Sequence, residues 1–227
     1  MEKSVIDKVV NNITKNTRLK MLDIRRELVT LQSAETVVEM MQHKLGLLIK
    51  LYDLLPLGPG ECPYCAENSY YCELCKYAEI HGKCTKIGSL YDKIILSLQR
   101  IIEHTEYLYG VIHPYAVVNE TMSHLVKSTI ENKLCKLEAD ISLLFRVMEN
   151  VESVEYLMHL KSDMMRCILS NLPLGASTCY YCQIFEDCDE CPIGKVHNPC
   201  SQPYSRYKKL EKEISHLKSL IETYSKV

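Results

Sequence analysis

The chain contains the stretch Cys179-Tyr-Tyr-Cys182-x5-Cys188-x2-Cys191-x8-Cys200, and an earlier copy reads Cys62-Pro-Tyr-Cys65-x6-Cys72-x2-Cys75-x8-Cys84. These two stretches hold ten of the twelve cysteines in the protein. We call residues 62–84 cluster one and residues 179–200 cluster two. Because the flanking sequence is patterned as helix, we expect the fold to be organised around the two clusters.

The sequence around the clusters is repeated as well. Leu55-Pro-Leu-Gly58 precedes cluster one, and Leu172-Pro-Leu-Gly175 precedes cluster two, 117 positions later. Self-similarity of this kind is typical of a duplicated unit. It predicts a tandem duplication of about 113 residues. The predicted units are 1–112 and 113–227, with a boundary near Gly110–Pro114.

Apolar residues recur every three or four positions on both sides of each cluster, which is the spacing of a helix face. Before cluster one they are Ile24, Leu28, Leu31, Val38, Met41, Leu45, Leu48, Leu51 and Leu55, and before cluster two they begin Ile130, Leu134, Leu137, Ile141, Leu144, Met148 and Val151. After the clusters they are Tyr91, Ile94, Leu98, Ile101, Thr105 and Leu108, and Tyr207, Leu210, Ile214, Leu217, Ile221 and Tyr224. The predicted fold is all-α: tandem duplicated helical hairpins, bundle-like or coiled-coil-like, each capped by a cysteine-rich metal-binding loop.

Helix length requires a break in each unit. A single helix from Tyr115 to Leu172 would be roughly 85 Å long, too long to match the helix that returns after each cluster. Asn16-Thr17 and Glu131–Lys133 occupy matching positions and are the predicted breaks. The first helices would then span about residues 3–15 and 116–131.

Composition excludes two classes of protein. The chain is 47% hydrophobic and 25% charged, which argues against disorder. No apolar run reaches the roughly 18 residues of a membrane span, and the first residues lack the apolar core of a signal peptide. We therefore expect a cytoplasmic protein without a membrane partner. In a reducing cytosol, paired CxxC units indicate metal binding or redox chemistry more often than disulfides.

Each cluster supplies thiolates for a tetrahedral metal site. Two CxxC units that face each other suit Zn²⁺, because the short turn directs both sulfurs at one ion. The candidate ligands are Cys62, Cys65, Cys72, Cys75, Cys84, Cys179, Cys182, Cys188, Cys191 and Cys200. His81 and His197 could each replace a cysteine, so the set of four in each unit stays open. We expect one zinc per unit, with an iron–sulfur cluster and disulfides as the alternatives.

Other residues near the clusters have less specific interpretations. Lys195, Arg206, Lys208, Lys209 and Lys212 form a basic region that could meet phosphates, although the net charge of −2 is far from that of a typical nucleic-acid binder. We expect a solvated helix face there, and tyrosines that pack over the clusters. Glu61, Glu67, Glu73 and Glu79 are expected to be solvated. Cys135 and Cys167 lie outside the repeat and are expected to be buried thiols.

Cluster two resembles a five-cysteine motif of uncharacterised phage and prokaryotic proteins. The residues that match it are Cys179, Cys182, Cys188, Cys191, Pro192, Cys200 and Tyr204. Cluster one departs from the motif, since Lys76 stands where proline is expected. The resemblance covers about 25 residues of each unit and implies a similar kind of loop, without an activity.

The sequence thus favours a non-enzymatic helical scaffold, stabilised by metal, that binds a protein partner or a second copy through its long helices. A nucleic-acid-binding zinc protein is the first alternative. An iron–sulfur or thiol redox protein is the second.

Overall fold

The computed structural model describes residues 3–110 and 119–226, and every regular element in these two ranges is a helix. The prediction of an all-α protein is therefore confirmed. The first half contains α1 (Lys3–Ser33), α2 (Val37–Asp53), α3 (Pro63–Glu67), α4 (Lys76–His81) and α5 (Leu90–Tyr109). The second half contains α6 (Glu120–Met148), α7 (Val154–Ser170), α8 (Tyr180–Ile184), α9 (Pro192–His197) and α10 (Arg206–Tyr224). Single 3-10 turns lie at Pro59–Glu61, Cys72–Leu74 and Ala176–Thr178.

The two halves have the same order of long and short helices. The duplication itself stays a prediction. Its proposed boundary, between residues 112 and 113, lies outside the described residues.

The predicted helix breaks are wrong. Helix α1 continues through Asn16 and Thr17, and α6 continues through residues 131–133. The breaks lie later, before Val37 and before Val154. At the first break, Thr36 accepts a hydrogen bond from the Glu39 N–H, and the Glu39 carboxylate accepts one from the Thr36 N–H. This capping box starts α2, and Ser153 caps α7 by accepting from the Tyr156 N–H.

The helices that flank each cluster are antiparallel neighbours, as the sequence predicts. Helix α2 packs against α5, and the Tyr52 hydroxyl lies 2.9 Å from Thr105 Oγ1. Helix α7 packs against α10, where the Ser162 hydroxyl donates to the Ile221 carbonyl at 3.0 Å. Each cluster therefore lies at the closed end of a helical hairpin.

The two hairpins meet mainly through α5 and α10, which run antiparallel. The Ser97 hydroxyl donates to Glu213 Oε1 at 2.8 Å, and the Arg206 guanidinium lies 4.2 Å from the centroid of the Tyr107 ring. Ile101 in α5 and Leu217 in α10 are fully buried. Burial of such a side chain stabilises the fold by about 2 kcal/mol. Because α5 starts after cluster one and α10 starts after cluster two, the clusters lie at opposite ends of this helix pair.

The first helices of the two halves form an outer pair. Helix α1 runs antiparallel to α6, and Arg25 makes two hydrogen bonds of 2.7 Å to the Glu138 carboxylate. A groove of about 700 Å³ lies between them, lined in part by Met21, Leu22 and Phe145. None of the helices in the described ranges combines the length and apolar character that a bilayer span requires.

Candidate metal centre

The helix termini position the cysteines of each CxxC unit. Cys62 is the N-cap residue of α3 and Cys65 lies in its first turn, while Cys179 and Cys182 stand in the same relation to α8. Residues three apart lie on the same side of a helical turn. The last cysteine of the second CxxC pair also lies at the start of a short helix in each cluster. Cys75 is the N-cap of α4, and Cys191 is the N-cap of α9.

The thiols of cluster one lie together. Cys65, Cys72, Cys75 and Cys84 line a single cavity of about 10 Å³. Cys62 is 6% exposed and is hydrogen-bonded to Cys65. The fold thus brings all five cysteines of the cluster to one place, although Cys84 lies 22 residues from Cys62 in the sequence.

The thiols of cluster two lie around a larger cavity of about 260 Å³. Cys179, Cys182, Cys188 and Cys200 line it, and Tyr109 of α5 closes one side. Cys191 is buried and close enough to Cys179 and Cys188 to interact with them electrostatically. A residue from the first half of the chain therefore forms part of the wall of the second cluster.

The side chains of the described residues do not form a preassembled metal site. Within residues 3–110 and 119–226, no three Cys, His, Asp or Glu side chains are placed as ligands of a single ion. All twelve cysteines are free thiols. Metal binding by the ten cluster cysteines therefore stays a prediction.

The two candidate histidines are engaged elsewhere. His81 Nε2 lies 2.7 Å from the Lys226 carbonyl oxygen, and its ring packs on Tyr77 with centroids 4.8 Å apart. His197 is buried against the Tyr107 ring, also at 4.8 Å. Neither histidine is among the residues that line the two cysteine cavities. This arrangement favours cysteine-only ligand sets.

The first thiol of each cluster is the more acidic member of its pair. A hydrogen bond from Cys65 lowers the pKa of Cys62, burial opposes this effect, and Lys161 lowers the pKa further. The same effects act on the pKa of Cys179. A hydrogen bond from Cys182 lowers this pKa, burial opposes this effect, and the nearby charge of Lys44 lowers it further. The same hydrogen bonds, together with burial, raise the pKa of Cys65 and of Cys182. In each pair, the first cysteine is therefore the thiol that ionises more readily.

Sequence reasoning missed Lys44 and Lys161, which are 1% and 0% exposed. Burial lowers the pKa of Lys44 to about 8, and the thiols of Cys179, Cys182 and Cys200 act against that effect. The signal was present in the sequence, because both lysines interrupt apolar helix faces at positions 117 residues apart.

The chain was compared with protein-family models, with curated proteins and with solved structures. Nothing matches.

The aromatic residues near the clusters mostly pack as predicted. Tyr64, Tyr77, Tyr180 and Tyr181 are buried. Tyr70 and Tyr71 differ, since they are 51% and 65% exposed.

The prediction that Glu61 is solvated is wrong. Its side chain is 5% exposed and accepts hydrogen bonds from Asn16 Nδ2 at 3.0 Å and from the Gly58 N–H at 2.9 Å. These bonds attach the start of cluster one to α1. The carboxylate is buried because α1 does not break at Asn16.

The cysteines outside the clusters also differ from the prediction. Cys135 is exposed, because it lies on the side of α6 that faces the groove beside α1. Cys167 is half-buried, with its sulfur 3.8 Å from Asp140 Oδ2. Burial and Asp140 raise the pKa of the Cys167 thiol to about 11, so it stays protonated at neutral pH.

Proposed function

We propose that this chain is a non-enzymatic scaffold in which each cysteine cluster binds one zinc ion, about two per chain. The observation that supports the proposal is the convergence of four cysteines around one cavity in each cluster, with the fifth cysteine buried beside them. Thiolates are the preferred ligands of structural zinc sites. The thiols would have to close on the ion, and the energy of that closure would stabilise the fold.

The short helices of the clusters explain why a metal would matter. Helices α3 and α8 have five residues each, and α4 and α9 have six. Helices of this length are not stable in isolation, since nucleation costs more than so few hydrogen bonds return. A metal that ties four thiolates together would hold these segments against the hairpins.

The scaffold role also requires a surface for a protein partner or a second copy of the chain. Helix α1 exposes Leu19, Leu22 and Val29, and α6 exposes Leu143. Leu22 lies in the groove between these two helices. The groove that contains Leu22 is therefore the surface that we assign to such a partner.

Nucleic-acid binding is less well supported by the contacts of the basic region. Arg206 packs on the Tyr107 ring, and Lys208 donates to Glu211 Oε2 at 2.7 Å. Two of its five cations are thus engaged within the molecule. The observations favour the scaffold.

Elemental analysis of anaerobically purified protein, with an absorption spectrum, tests the metal. We expect about two zinc ions per chain and no visible absorption. Iron with a visible band would replace this proposal by an iron–sulfur protein. A metal-free chain would also contradict it.

Substitution of single cysteines tests the structural role. We expect Cys62→Ser and Cys179→Ser each to remove about one zinc and to lower the Tm by roughly 10 °C, since metal binding is coupled to folding. Cys135→Ser is the matched control and should keep both the metal and the Tm, because Cys135 is exposed and outside the clusters. Loss of zinc without loss of thermal stability would exclude the scaffold role.

A further inference from the structure

The two buried lysines occupy matching places in the two halves. Lys44 lies in α2 and Lys161 in α7, and they are as far apart in sequence as Cys62 and Cys179. A buried ammonium group is costly unless an anion or several hydrogen bonds compensate for its lost hydration. The groups that surround each lysine therefore indicate which negative charge it compensates.

Lys44 faces the cluster of the opposite half. Its Nζ donates to the Thr178 carbonyl oxygen at 2.5 Å, directly before Cys179. It also lies 4.7 Å from the centroid of the Tyr109 ring, which forms a wall of the cavity around cluster two. Burial lowers the pKa of Lys44, and among the groups that oppose this effect Cys179 and Cys182 are the strongest.

Lys161 makes the reciprocal contact with cluster one. Its Nζ donates to the Tyr224 hydroxyl at 3.2 Å, and that hydroxyl lies 4.0 Å from the Cys62 sulfur. Helix α7 also packs directly on α3, which carries Cys65. Glu61 is a second anion near Lys161, whereas the matching position in cluster two is Thr178.

We infer that Lys44 and Lys161 are the counter-ions of the two metal–thiolate sites, each supplied by the half of the chain that does not contain the site. The inference rests on the metal binding proposed above. A Zn²⁺ ion bound by four thiolates carries a net charge of about −2. A buried ammonium close to it offsets part of that charge, and the anionic site in turn makes the buried lysine tolerable. Metal binding in one half is therefore coupled to the packing of the other half.

The coupling predicts a crossed pattern of effects on metal affinity. Removal of a residue that supports metal ligands typically lowers affinity 10- to 100-fold. We expect Lys161→Met to weaken cluster one by about 10- to 100-fold and to leave cluster two unchanged. Lys44→Met should do the reverse.

Chelator competition on the full chain, read by cysteine alkylation, resolves the two sites. Zinc-loaded protein is titrated with a chelator, free thiols are alkylated, and peptide mass spectrometry reports separately on residues 62–84 and 179–200. Lys209→Met is the matched control, because Lys209 is exposed at the start of α10 and its loss changes the net charge equally. This control should leave both sites within about twofold of the unsubstituted protein.

Each outcome distinguishes the inference from the metal proposal. Equal weakening of both sites, no weakening, or weakening of the site in the same half would overturn the crossed counter-ion role while leaving the zinc sites intact. Alkylation of the unsubstituted protein that zinc does not slow would refute the metal proposal and this inference with it.

A milder variant covers the case in which a methionine variant does not fold. Tyr224→Phe removes only the hydroxyl between Lys161 and Cys62. We expect a selective loss of affinity at cluster one. Unchanged affinity there would count against the inference.

Discussion

Tyrosine hydroxyls connect helices inside the core of this protein. The chain has fifteen tyrosines and two phenylalanines. Tyr52 in α2 is 1% exposed, and its hydroxyl lies 2.9 Å from Thr105 Oγ1 in α5. Thr105 donates its own proton to the Ile101 carbonyl at 2.7 Å, so Tyr52 is the donor to Thr105. Burial raises the pKa of Tyr52 above its ordinary value, which keeps this donor protonated.

Tyr52→Phe tests the energy of that hydrogen bond. We expect the free energy of unfolding to fall by about 1 kcal/mol, since a buried acceptor loses its donor. Chemical denaturation at neutral pH measures the change. Tyr107→Phe is the control, because the Tyr107 ring is 50% exposed and its contacts with Arg206 and His197 involve the ring face. Equal losses in the two variants would contradict the role given to the Tyr52 hydroxyl.

At the scale of the helix, the caps decide where each long segment breaks. The buried face of α1 runs without interruption from Ile6 to Leu31 and includes Thr17, where the sequence had suggested a break. The chain turns only at residues 34–36, where Thr36 and Glu39 satisfy each other's backbone N–H groups. Helix length required a break, but the capping residues set its position.

Thr36→Ala tests the cap of α2. We expect a loss of about 1 kcal/mol in the free energy of unfolding, measured by thermal or chemical denaturation. Thr30→Ala is the matched control at an exposed position in the last turn of α1, where alanine favours the helix at least as well as threonine. An unchanged stability in Thr36→Ala would indicate that this hydrogen bond does not define the start of α2.

At the scale of the molecule, the two halves depend on each other. Helices α5 and α10 share one buried interface, and each half supplies a buried lysine and a terminal tyrosine to the cluster of the other. The surroundings of each cluster therefore include residues from both halves. We therefore expect the described helices to unfold as one cooperative unit.

Leu217→Ala tests this cooperativity. Leu217 is fully buried in α10, and its truncation should cost about 2–5 kcal/mol. We expect amide hydrogen exchange to accelerate in α2 of the opposite half as much as in α10. Ile87→Ala, at a side chain that is 92% exposed, should change neither. Faster exchange confined to residues 119–226 would show that the halves unfold independently.

The sequence by itself determined the helical class and most of the buried face of each helix. Leu210, Ile214, Leu217, Ile221 and Tyr224 were all predicted from their spacing, and all are buried in α10. The grouping of the ten cluster cysteines was likewise predicted from their spacing, and their role as metal ligands stays a prediction. These features are local, because the spacing of three to four residues fixes which side chains share a helix face.

Only the tertiary structure decided which half of the chain supplies the buried lysine beside each cluster. Lys44 and Thr178 are 134 residues apart, and Cys62 and Tyr224 are 162 apart. The sequence is equally compatible with a lysine that lies beside the cluster of its own half. The antiparallel packing of α5 on α10 places the end of each last helix beside the opposite cluster. Contacts of this kind follow from how whole hairpins pack, and no local spacing in the chain encodes them.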